Sequence, residues 1–510
     1  MRGRRVLVGS MFVTIGALGG CASSDDYVVV TVDARPAVRD AAALAVSLSN
    51  AGSKRTDTLD LRAPAFPVTF SISAPGRTGE LAIAIEATTL AGLVVGRGGA
   101  TSSVDAAAAK VMLESTDFVV NTDYAGDQFP SGDFEASGFQ VAALPDGTWT
   151  AAFRDACPSG SCSLFARRFD ARGAPVATQA AAGTNAFPVT AKPTDGRSTP
   201  AIASGTTTTI AVWDAYVGDV GSVACRTLDT GGRISATQTS LAVDAADVVS
   251  VTAITGDSFV ASWNAIPAGG TENAIRAAFI KPDCTAPAGP ITVSTLAGFA
   301  HRSSVASTAG KVLFAWIVGG DLHIRMASTA GVFATGDTVL VAQTATDEID
   351  HARVVAATGG GFAIAVRWSQ KATATGTGRI ELYRVTSDGA LAGAPALVTD
   401  RSASDFDSSE AFAAASQPDG TLLVAWHTCG ALGDDSMCGV FGRILHDTGA
   451  PVTDAFAIPT TTLGDQKRPS VAALPGAFVA VWSDASASPP DPDGQAVRAR
   501  IVYPPLTADR

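Results

Sequence analysis

The side chains best suited to chemistry in this sequence are carboxylates in Gly-, Pro- and Ser-rich stretches of the C-terminal half. The clearest are Asp434, Asp435, Asp491 and Asp493. Calcium prefers carboxylate and carbonyl oxygens, and Asp491-Pro-Asp-Gly494 is a fragment of the calcium-binding pattern Asp-x-Asp-x-Asp-Gly. The sequence leaves two interpretations open: calcium as the only cofactor, or a set of solvated acids.

Two histidines form a second candidate group. His301 and His351 each come just before an apolar run, about 50 residues apart. Histidine is a common metal ligand, so this spacing indicates either a functional pair or one position inherited by two sequence repeats. We assign them no metal or catalytic role and place them with the four aspartates on a candidate binding surface.

Sequence signatures of catalysis are missing. The chain contains no His-Glu-x-x-His, Gly-x-Ser-x-Gly or Gly-x-x-x-x-Gly-Lys motif, which metalloproteases, α/β-hydrolases and P-loop proteins carry. Carboxylate pairs of glycosidases converge in space and not in sequence. A non-enzymatic protein is therefore the prediction, and a polysaccharide hydrolase or lyase is the alternative.

Six of the seven cysteines suit disulfides in an oxidising compartment. The predicted pairs are Cys157 with Cys162, Cys429 with Cys438, and Cys225 with Cys284. The first two pairs can each close a hairpin. The third pair follows only by elimination, because six cysteines allow many connectivities.

The elements that position these residues form a repeat of about 50 to 60 residues that begins near Phe139. Each copy contains an apolar strand, a tight turn, a second apolar strand with an aromatic mark near its end, and further strands. The marks are Phe153, Trp213, Trp263, Trp316, Val366 (a substitution), Trp426 and Trp482. Short strands at this period are typical of a β-propeller with one four-stranded blade per repeat. The sequence therefore predicts an all-β protein with a seven-bladed propeller over residues 116–510.

The last copy ends after its third strand, and the missing strand lies ahead of the first copy. Asp117–Asp127 resembles Ala455–Asp465, the segment that follows the third strand of the sixth copy. We predict that this N-terminal segment supplies the outer strand of the seventh blade and closes the ring. An open solenoid or a chain of separate sandwich modules is the alternative. Several third strands also carry an arginine, as in Val497-Arg-Ala-Arg-Ile501.

A propeller has two faces, and the predicted connections differ between them. One face has tight turns rich in Asp and Gly. The other, the long-loop face, has the loops between second and third strands and the links between blades. Its stretches are Asp214–Gly221, Asn264–Asn273, Ser369–Gly378, His427–Gly439 and Asp484–Gln495, together with the link acids Asp347, Glu348 and Asp350. Binding sites are usually built from long loops on a rigid scaffold, so we expect any ligand on this face.

Residues 27–115 contain seven short apolar runs separated by Pro, Gly, Asn and Asp. This pattern predicts a small immunoglobulin-like sandwich, although the Ala-rich stretch Val38–Leu48 also suits the start of a helix. Residues 1–20 have a basic start and an apolar stretch too short to span a bilayer.

The stretch Leu18-Gly-Gly-Cys21 resembles the processing box of bacterial lipoproteins. The resemblance implies cleavage before Cys21, lipid on Cys21 and a tether over residues 21–26. Ala22, in place of Asp, implies sorting to the outer membrane. An ordinary secretory signal is the alternative.

The whole combination resembles cell-surface lipoproteins of myxobacteria and related high-GC bacteria, which lend this chain no catalytic residue. The formal charge of −12 argues against nucleic acid as a partner. First-strand residues such as Val141, Ile202, Val305 and Val471 are small and apolar, which favours binding over catalysis. We therefore predict a monomeric, lipid-anchored binding or scaffold protein that faces the cell surface or the periplasm and presents the long-loop face to a protein or carbohydrate.

Overall fold

The protein was analysed as a computed structural model that describes residues 14–15, 27–61, 66–106, 108–122, 139–154, 161–177, 186–190, 194–195, 200–217, 220–243, 245–254, 256–265, 273–295, 298–334, 336–371, 378–401, 412–429, 438–489, 491 and 494–505. The chain divides into two compact units, Met1–Asp117 and Phe118–Arg510. Strands dominate both, and the one helical turn in the described residues is a 3-10 turn at Thr358–Gly360. In this part of the chain no helix has the length and apolar character to span a bilayer.

The described residues of the first unit form eight strands. They are β1 (Thr14–Ile15), β2 (Tyr27–Ala34), β3 (Ala43–Asn50), β4 (Ser53–Asp60), β5 (Val68–Ser73), β6 (Glu80–Thr88), β7 (Val94–Ser103) and β8 (Ala108–Ser115). Their order is β1-β5-β2-β8-β7-β6-β3-β4. Strands β2 to β8 fall on the seven apolar runs of the sequence. The helical alternative for Val38–Leu48 is wrong, because Val38 lies in a turn and β3 begins at Ala43.

Alternation along these strands builds the core of the first unit. Side chains of a strand point to opposite faces in turn, so Val28, Val30 and Val32 on β2 are all fully buried. Leu44 on β3 and Ile85 on β6 belong to the same apolar cluster. The edge strand β4 is mostly exposed and charged, as expected for an edge that must not pair with another chain.

The described residues of the second unit form thirty strands. They are β9 (Phe118–Val119), β10 (Phe139–Ala143), β11 (Trp149–Arg154), β12 (Ser161–Cys162), β13 (Leu164–Phe169), β14 (Ala186–Pro188), β15 (Thr194–Asp195), β16 (Pro200–Ser204), β17 (Thr209–Val217), β18 (Val220–Leu228), β19 (Thr239–Ala242), β20 (Ala245–Ala253), β21 (Phe259–Ala265), β22 (Ala274–Ile280), β23 (Ile291–Thr292), β24 (Ala300–Thr308), β25 (Lys311–Val318), β26 (Asp321–Ser328), β27 (Thr338–Val341), β28 (Asp347–Ala356), β29 (Phe362–Gln370), β30 (Gly378–Val385), β31 (Ala396–Arg401), β32 (Phe412–Ser416), β33 (Thr421–Cys429), β34 (Cys438–His446), β35 (Phe456–Ala457), β36 (Gln466–Leu474), β37 (Ala477–Asp484) and β38 (Ala496–Val502).

These strands form seven four-stranded antiparallel sheets, and β12 and β15 form a separate two-stranded ribbon. Blades 1 to 7 are β10-β11-β13-β14, β16-β17-β18-β19, β20-β21-β22-β23, β24-β25-β26-β27, β28-β29-β30-β31, β32-β33-β34-β35 and β36-β37-β38-β9. The first strands of successive blades pack against one another, and β36 packs against β10. The predicted seven-bladed propeller is confirmed.

The seventh blade is completed from the N-terminal side. Phe118 and Val119 of β9 pair with Ala499 and Arg498 of β38, so the outer strand of the last blade precedes the first blade in sequence. The Asn121 side chain adds two bonds, because its Oδ1 accepts from the Val497 N–H at 2.8 Å and its Nδ2 donates to Asp491 Oδ2 at 2.8 Å. The predicted closure of the ring is confirmed.

The aromatic marks lie in second strands that are buried on both faces between neighbouring blades. Trp213, Trp263, Trp316, Trp426 and Trp482 are each at most 2% exposed. Val366 occupies the equivalent place in β29 and is fully buried. The loss of the aromatic there leaves the register of blade 5 unchanged.

Arginines of the third strands join each of five blades to the blade before it. In each of these blades the arginine pairs with the residue of the second strand that lies two positions before the aromatic mark. Its Nη1 donates to a backbone carbonyl at the outer strand of the preceding blade. The five bonds join Arg167 to Val120 (2.6 Å), Arg226 to Val189 (2.9 Å), Arg325 to Val293 (2.8 Å), Arg443 to Val398 (2.9 Å) and Arg500 to Ile458 (2.8 Å). We call these residues the staple arginines.

Two junctions depart from this rule. Blade 3 has Ala278 and blade 5 has Tyr383 where the others have a staple arginine. At the first of these junctions a disulfide between Cys225 and Cys284 joins blade 2 to blade 3. At the second, Lys311 Nζ of blade 4 donates to the Ser387 carbonyl of blade 5 at 2.5 Å.

The disulfide predictions are confirmed for two of the three pairs. Cys225 is bonded to Cys284, and Cys429 is bonded to Cys438 across the hairpin of β33 and β34. The predicted pair of Cys157 and Cys162 lies outside the residues whose side chains the structure describes.

Two stretches of the long-loop face differ from the prediction. Asp214–Gly221 is not a long loop, because β17 and β18 continue pairing as far as Val217 and Val220. Asp347, Glu348 and Asp350 lie in β28 rather than in a link, and Asp347 is held there by Arg379 Nη1 at 3.2 Å. Residues 266–272, 372–377 and 430–437 of the other predicted loops lie outside the described residues.

Candidate functional site

A cavity of about 160 Å³ lies at the centre of the ring, bounded by the first strands of blades 1 to 6. Its apolar wall includes Ile202 and Val305, two of the small first-strand residues expected there from the sequence. Its polar wall is made by Gln140, Ser250, Ser303, Ser304 and Arg353. Among the described residues that line the cavity there is no carboxylate. The site is therefore polar without being acidic.

Bulges in the first strands of blades 4 and 5 shape the wall next to this cavity. The register shifts between His301 and Ser304 in β24 and between Ile349 and His351 in β28. Arg302 has a φ of 57°, a left-handed conformation that non-glycine residues rarely adopt. A bulge re-aims side chains next to it. Here Arg302 Nη1 reaches blade 5, where it lies 2.5 Å from the Asp350 carbonyl oxygen and 3.3 Å from His351 Nδ1.

A buried ion pair lies at this junction. Arg367 Nε is 3.6 Å from Asp350 Oδ2, and both side chains are largely buried. Burial acts to raise the pKa of Asp350, but the charge of Arg367, the contact with His351 and the charge of Arg302 outweigh it and hold the pKa below its usual value. Asp350 is therefore ionised and balances one of the nearby guanidinium charges.

His351 adds no positive charge to this junction. It is 1% exposed, and burial lowers its pKa to about 3 despite the nearby Asp350 carboxylate. The neutral ring accepts a hydrogen bond at Nδ1 from Arg302. Asp350 Oδ1 lies 3.5 Å from the same nitrogen.

Arg353 is the cation that lines the cavity. Its Nη1 donates to the Ala352 carbonyl at 3.2 Å, and its guanidinium carbon is 5.8 Å from the centre of the Phe412 ring. Burial and the charge of Arg302 lower its pKa to about 10, so it remains charged at neutral pH. In the described part of the chain no carboxylate lies within salt-bridge distance of it.

Serine hydroxyls complete the polar wall. Ser250 Oγ accepts from the Val305 N–H at 3.3 Å, and Ser304 Oγ accepts from the Val354 N–H at 3.0 Å. Each bond joins the first strands of neighbouring blades and uses only a lone pair of the oxygen. A hydroxyl can accept and donate at once. The hydrogens of both hydroxyls therefore remain for an acceptor in the cavity.

The candidate residues predicted from sequence are placed in different surroundings. Asp491 is 7% exposed and accepts from the closing segment at Asn121. Asp434, Asp435 and Asp493 lie outside the described residues. The structure describes a contact of His351 with Arg302, the residue after His301, rather than with His301 itself.

No group of three or more His, Cys, Asp or Glu side chains in the described residues is arranged to hold a metal. The calcium site stays a prediction for the loop residues that the structure does not describe.

Sequence reasoning missed the central cluster. Arg353 sits at the first-strand position that Ala201, Ser250, Ser304 and Ser470 occupy in other blades, as the pairing with the second strands shows. The sequence signal was one charged residue in an aligned column of uncharged ones. The bulges hid it, because they shift the alignment of the first strands by one residue.

A larger cleft of about 380 Å³ belongs to the first unit. It is lined in part by Arg55 and Arg77, but Arg55 Nε already pairs with Asp57 at 2.6 Å and Arg77 donates to Ser53 at 3.2 Å. These cations have local partners on an exposed edge, so the central cavity is the better candidate site.

No protein-family model and no curated protein matches the chain. Solved structures with some similarity include a protein of unknown function from Dyadobacter fermentans DSM 18053 (12% identity, 77% of this chain, 99% of that chain, TM-score 0.46). Two others are an alpha-L-arabinofuranosidase from Fusarium graminearum (10%, 60%, 92%, 0.37) and a hydrazine synthase from Kuenenia stuttgartiensis (14%, 69%, 95%, 0.39). These low values support no conclusion about what this chain binds, and its fold rests on its own strand pairing.

Proposed function

We propose that this protein is a lipid-anchored binding protein of the bacterial cell envelope that takes up a small ligand in the central cavity of its propeller. The observation that carries the proposal is the cavity itself, a polar chamber inside a closed ring of seven blades. Rigid scaffolds favour binding because the site needs no ordering when the ligand arrives. The contacts of Ser250 and Ser304 fix the wall in place.

The tether and the domain layout of the proposal come from the sequence. Lipid on Cys21 would hold the chain in the outer membrane, residues 27–115 would form an immunoglobulin-like spacer, and the protein would act as a monomer related to myxobacterial lipoproteins. The alternative of a polysaccharide hydrolase or lyase needs a pair of carboxylates near the substrate. No described residue of the cavity lining is a carboxylate, so no observation favours that alternative.

The tether is tested by fractionation. We expect wild-type protein to sediment with membranes and the Cys21→Ser variant to be released, because a lipid adds about 0.8 kcal/mol per buried CH₂ group. Immunoblotting of membrane and soluble fractions measures the split. A Cys21→Ser variant that stays in the detergent-extracted membrane fraction would contradict lipidation.

The cavity is tested with three monosaccharides of equal size and different charge: glucose, glucuronate and glucosamine. We expect at least one to bind the full chain purified in detergent, measured by saturation-transfer NMR. Ala414→Trp places an indole at the cavity wall and should abolish that binding. If none of the three binds, or if Ala414→Trp binds them unchanged, the cavity is not the site.

A further inference from the structure

We infer that the central cavity binds a small oxyanion, a carboxylate or phosphate group, with Arg353 as its charge partner. This inference rests on the proposed function and names the class of ligand for the same cavity. The ligand can be a free ion or the acidic end group of a larger molecule, since both offer the same oxygens.

The charge balance around the cavity supports an anion. Among the described residues, Arg302 and Arg367 both lie at Asp350, and His351 beside them is neutral. Arg353 lies near Arg302 and has no carboxylate within salt-bridge distance in the described part of the chain. Arg367 faces Asp350 directly, and Arg302 is bonded to the Asp350 backbone and to His351. Arg353 alone of the three arginines lines the cavity. It contacts only a carbonyl oxygen and an aromatic ring among the described residues.

An enclosed cation without a counter-ion is costly for a folded protein, because water no longer solvates the charge fully. In a chain with a formal charge of −12, acids were available in number for pairing. The fold instead places Arg353 against a cavity whose described wall has no acid. An incoming anion supplies the missing partner.

Hydroxyl groups around the cavity match the oxygens of such an anion. Ser250 and Ser304 each accept a backbone N–H, and Ser303 accepts from the Ser262 hydroxyl at 3.2 Å. Each of the three cavity serines therefore has a hydrogen to donate. A guanidinium fork together with hydroxyl donors suits carboxylate and phosphate groups. A volume of about 160 Å³ is below the roughly 300–1,000 Å³ of sites for drug-sized ligands, so the cavity suits one small group.

The test compares glucuronate, glucose and glucosamine by titration calorimetry on the full chain, with inorganic phosphate as competitor. We expect glucuronate to bind at least about tenfold more tightly than glucose, glucosamine to bind most weakly, and phosphate to displace glucuronate. Arg353→Met should reduce glucuronate affinity about tenfold or more and leave glucose unchanged. Arg353→Lys, which keeps the charge and loses the fork, should fall between wild type and Arg353→Met.

Arg384→Met is the matched control, because Arg384 is an exposed arginine on the same blade. It should bind glucuronate like wild type, and thermal melts should show that all variants are folded. If glucose binds in the cavity while glucuronate and phosphate do not, the anion class is wrong and the binding function stands. If none of the probes binds, both fail. Unchanged glucuronate affinity in Arg353→Met would remove Arg353 from the site.

Discussion

The junction between blades 1 and 2 and the junction between blades 4 and 5 use arginine in opposite ways. At the first, Arg226 donates to the Val189 carbonyl of the neighbouring blade and closes a gap between packed strands. At the second, the staple position holds Tyr383, and Arg353 lies two strands inward at the central cavity. One arginine satisfies a backbone acceptor and stabilises the ring. The other has no acid beside it in the described structure and leaves a charge available to a ligand.

The comparison separates stabilising residues from functional ones by their partners rather than by their type. Burial lowers the pKa of Arg226 as it does that of Arg353, so the location of the cation does not distinguish them. What differs is that the Arg226 guanidinium reaches the carbonyl of Val189 in the preceding blade and that of Ser235. Among the described residues the Arg353 guanidinium reaches only the carbonyl of Ala352, the residue before it in the chain. Four measurements of stability test this distinction.

The largest effect is expected where a disulfide replaces the staple. The double variant Cys225→Ala and Cys284→Ala opens the bond between blades 2 and 3, whose cysteines are 59 residues apart in sequence. The loop-entropy model gives a loss of about 4 kcal/mol in the free energy of unfolding for a loop of this size. Urea denaturation measures it. A loss below that of a single staple arginine would show that the disulfide does not compensate for Ala278.

A staple arginine should contribute less than the disulfide. Arg226→Met removes the bonds to Val189 and Ser235, and we expect the free energy of unfolding to fall by about 2 kcal/mol, as for hydrogen bonds to charged groups. Arg172→Met, at an exposed turn residue of blade 1, serves as the control and should change little. An Arg226→Met protein as stable as wild type would mean that apolar packing alone holds this junction.

The junction of blades 4 and 5 should respond to acid. His351 takes up a proton near pH 6.5 when unfolded but only near pH 3 when folded. The unfolded state therefore binds more protons between these values, and stability falls as the pH drops through this window. The slope is at most about 1.4 kcal/mol per pH unit. Urea midpoints at neutral and mildly acidic pH measure it.

His351→Gln should flatten this acid response, because it removes the group that must stay neutral. His446→Gln, at an exposed histidine of blade 6, should leave the slope as it is in wild type. Equal slopes in wild type and His351→Gln would show that His351 is not held neutral by its surroundings.

The smallest effect has the opposite sign. Arg353→Met removes a cation that has no acid near it in the described structure and that lies close to Arg302. We expect a gain of about 1 kcal/mol in the free energy of unfolding, since replacing buried charge by apolar volume often stabilises. The same substitution at Arg226 is expected to destabilise, so the two variants compare a staple arginine with the cavity arginine directly. A loss of stability in Arg353→Met would place it with the staple arginines.

The sequence by itself determined the repeat, the number of blades and the way the ring closes. Apolar runs ending in Trp213 or Trp482 can only be buried between blades, and the likeness of Asp117–Asp127 to Ala455–Asp465 fixed which segment is the outer strand of blade 7. The seven runs of the first unit became strands for the same reason, because alternation with period two is a local property. The disulfide of Cys429 with Cys438 also followed from position in the repeat, whereas that of Cys225 with Cys284 followed only by elimination.

Only the tertiary structure decided the site. Arg353, Ser250 and Ser304 are separated by about 50 residues each, and they meet because first strands of successive blades face one channel. The bulges at Arg302 and Asp350 then determine which side chain reaches the cavity. They also place the Asp350 carboxylate beside Arg367. Such choices depend on the charges and backbone groups of neighbouring blades. A repeat pattern records where strands lie, but not which partners their polar side chains find.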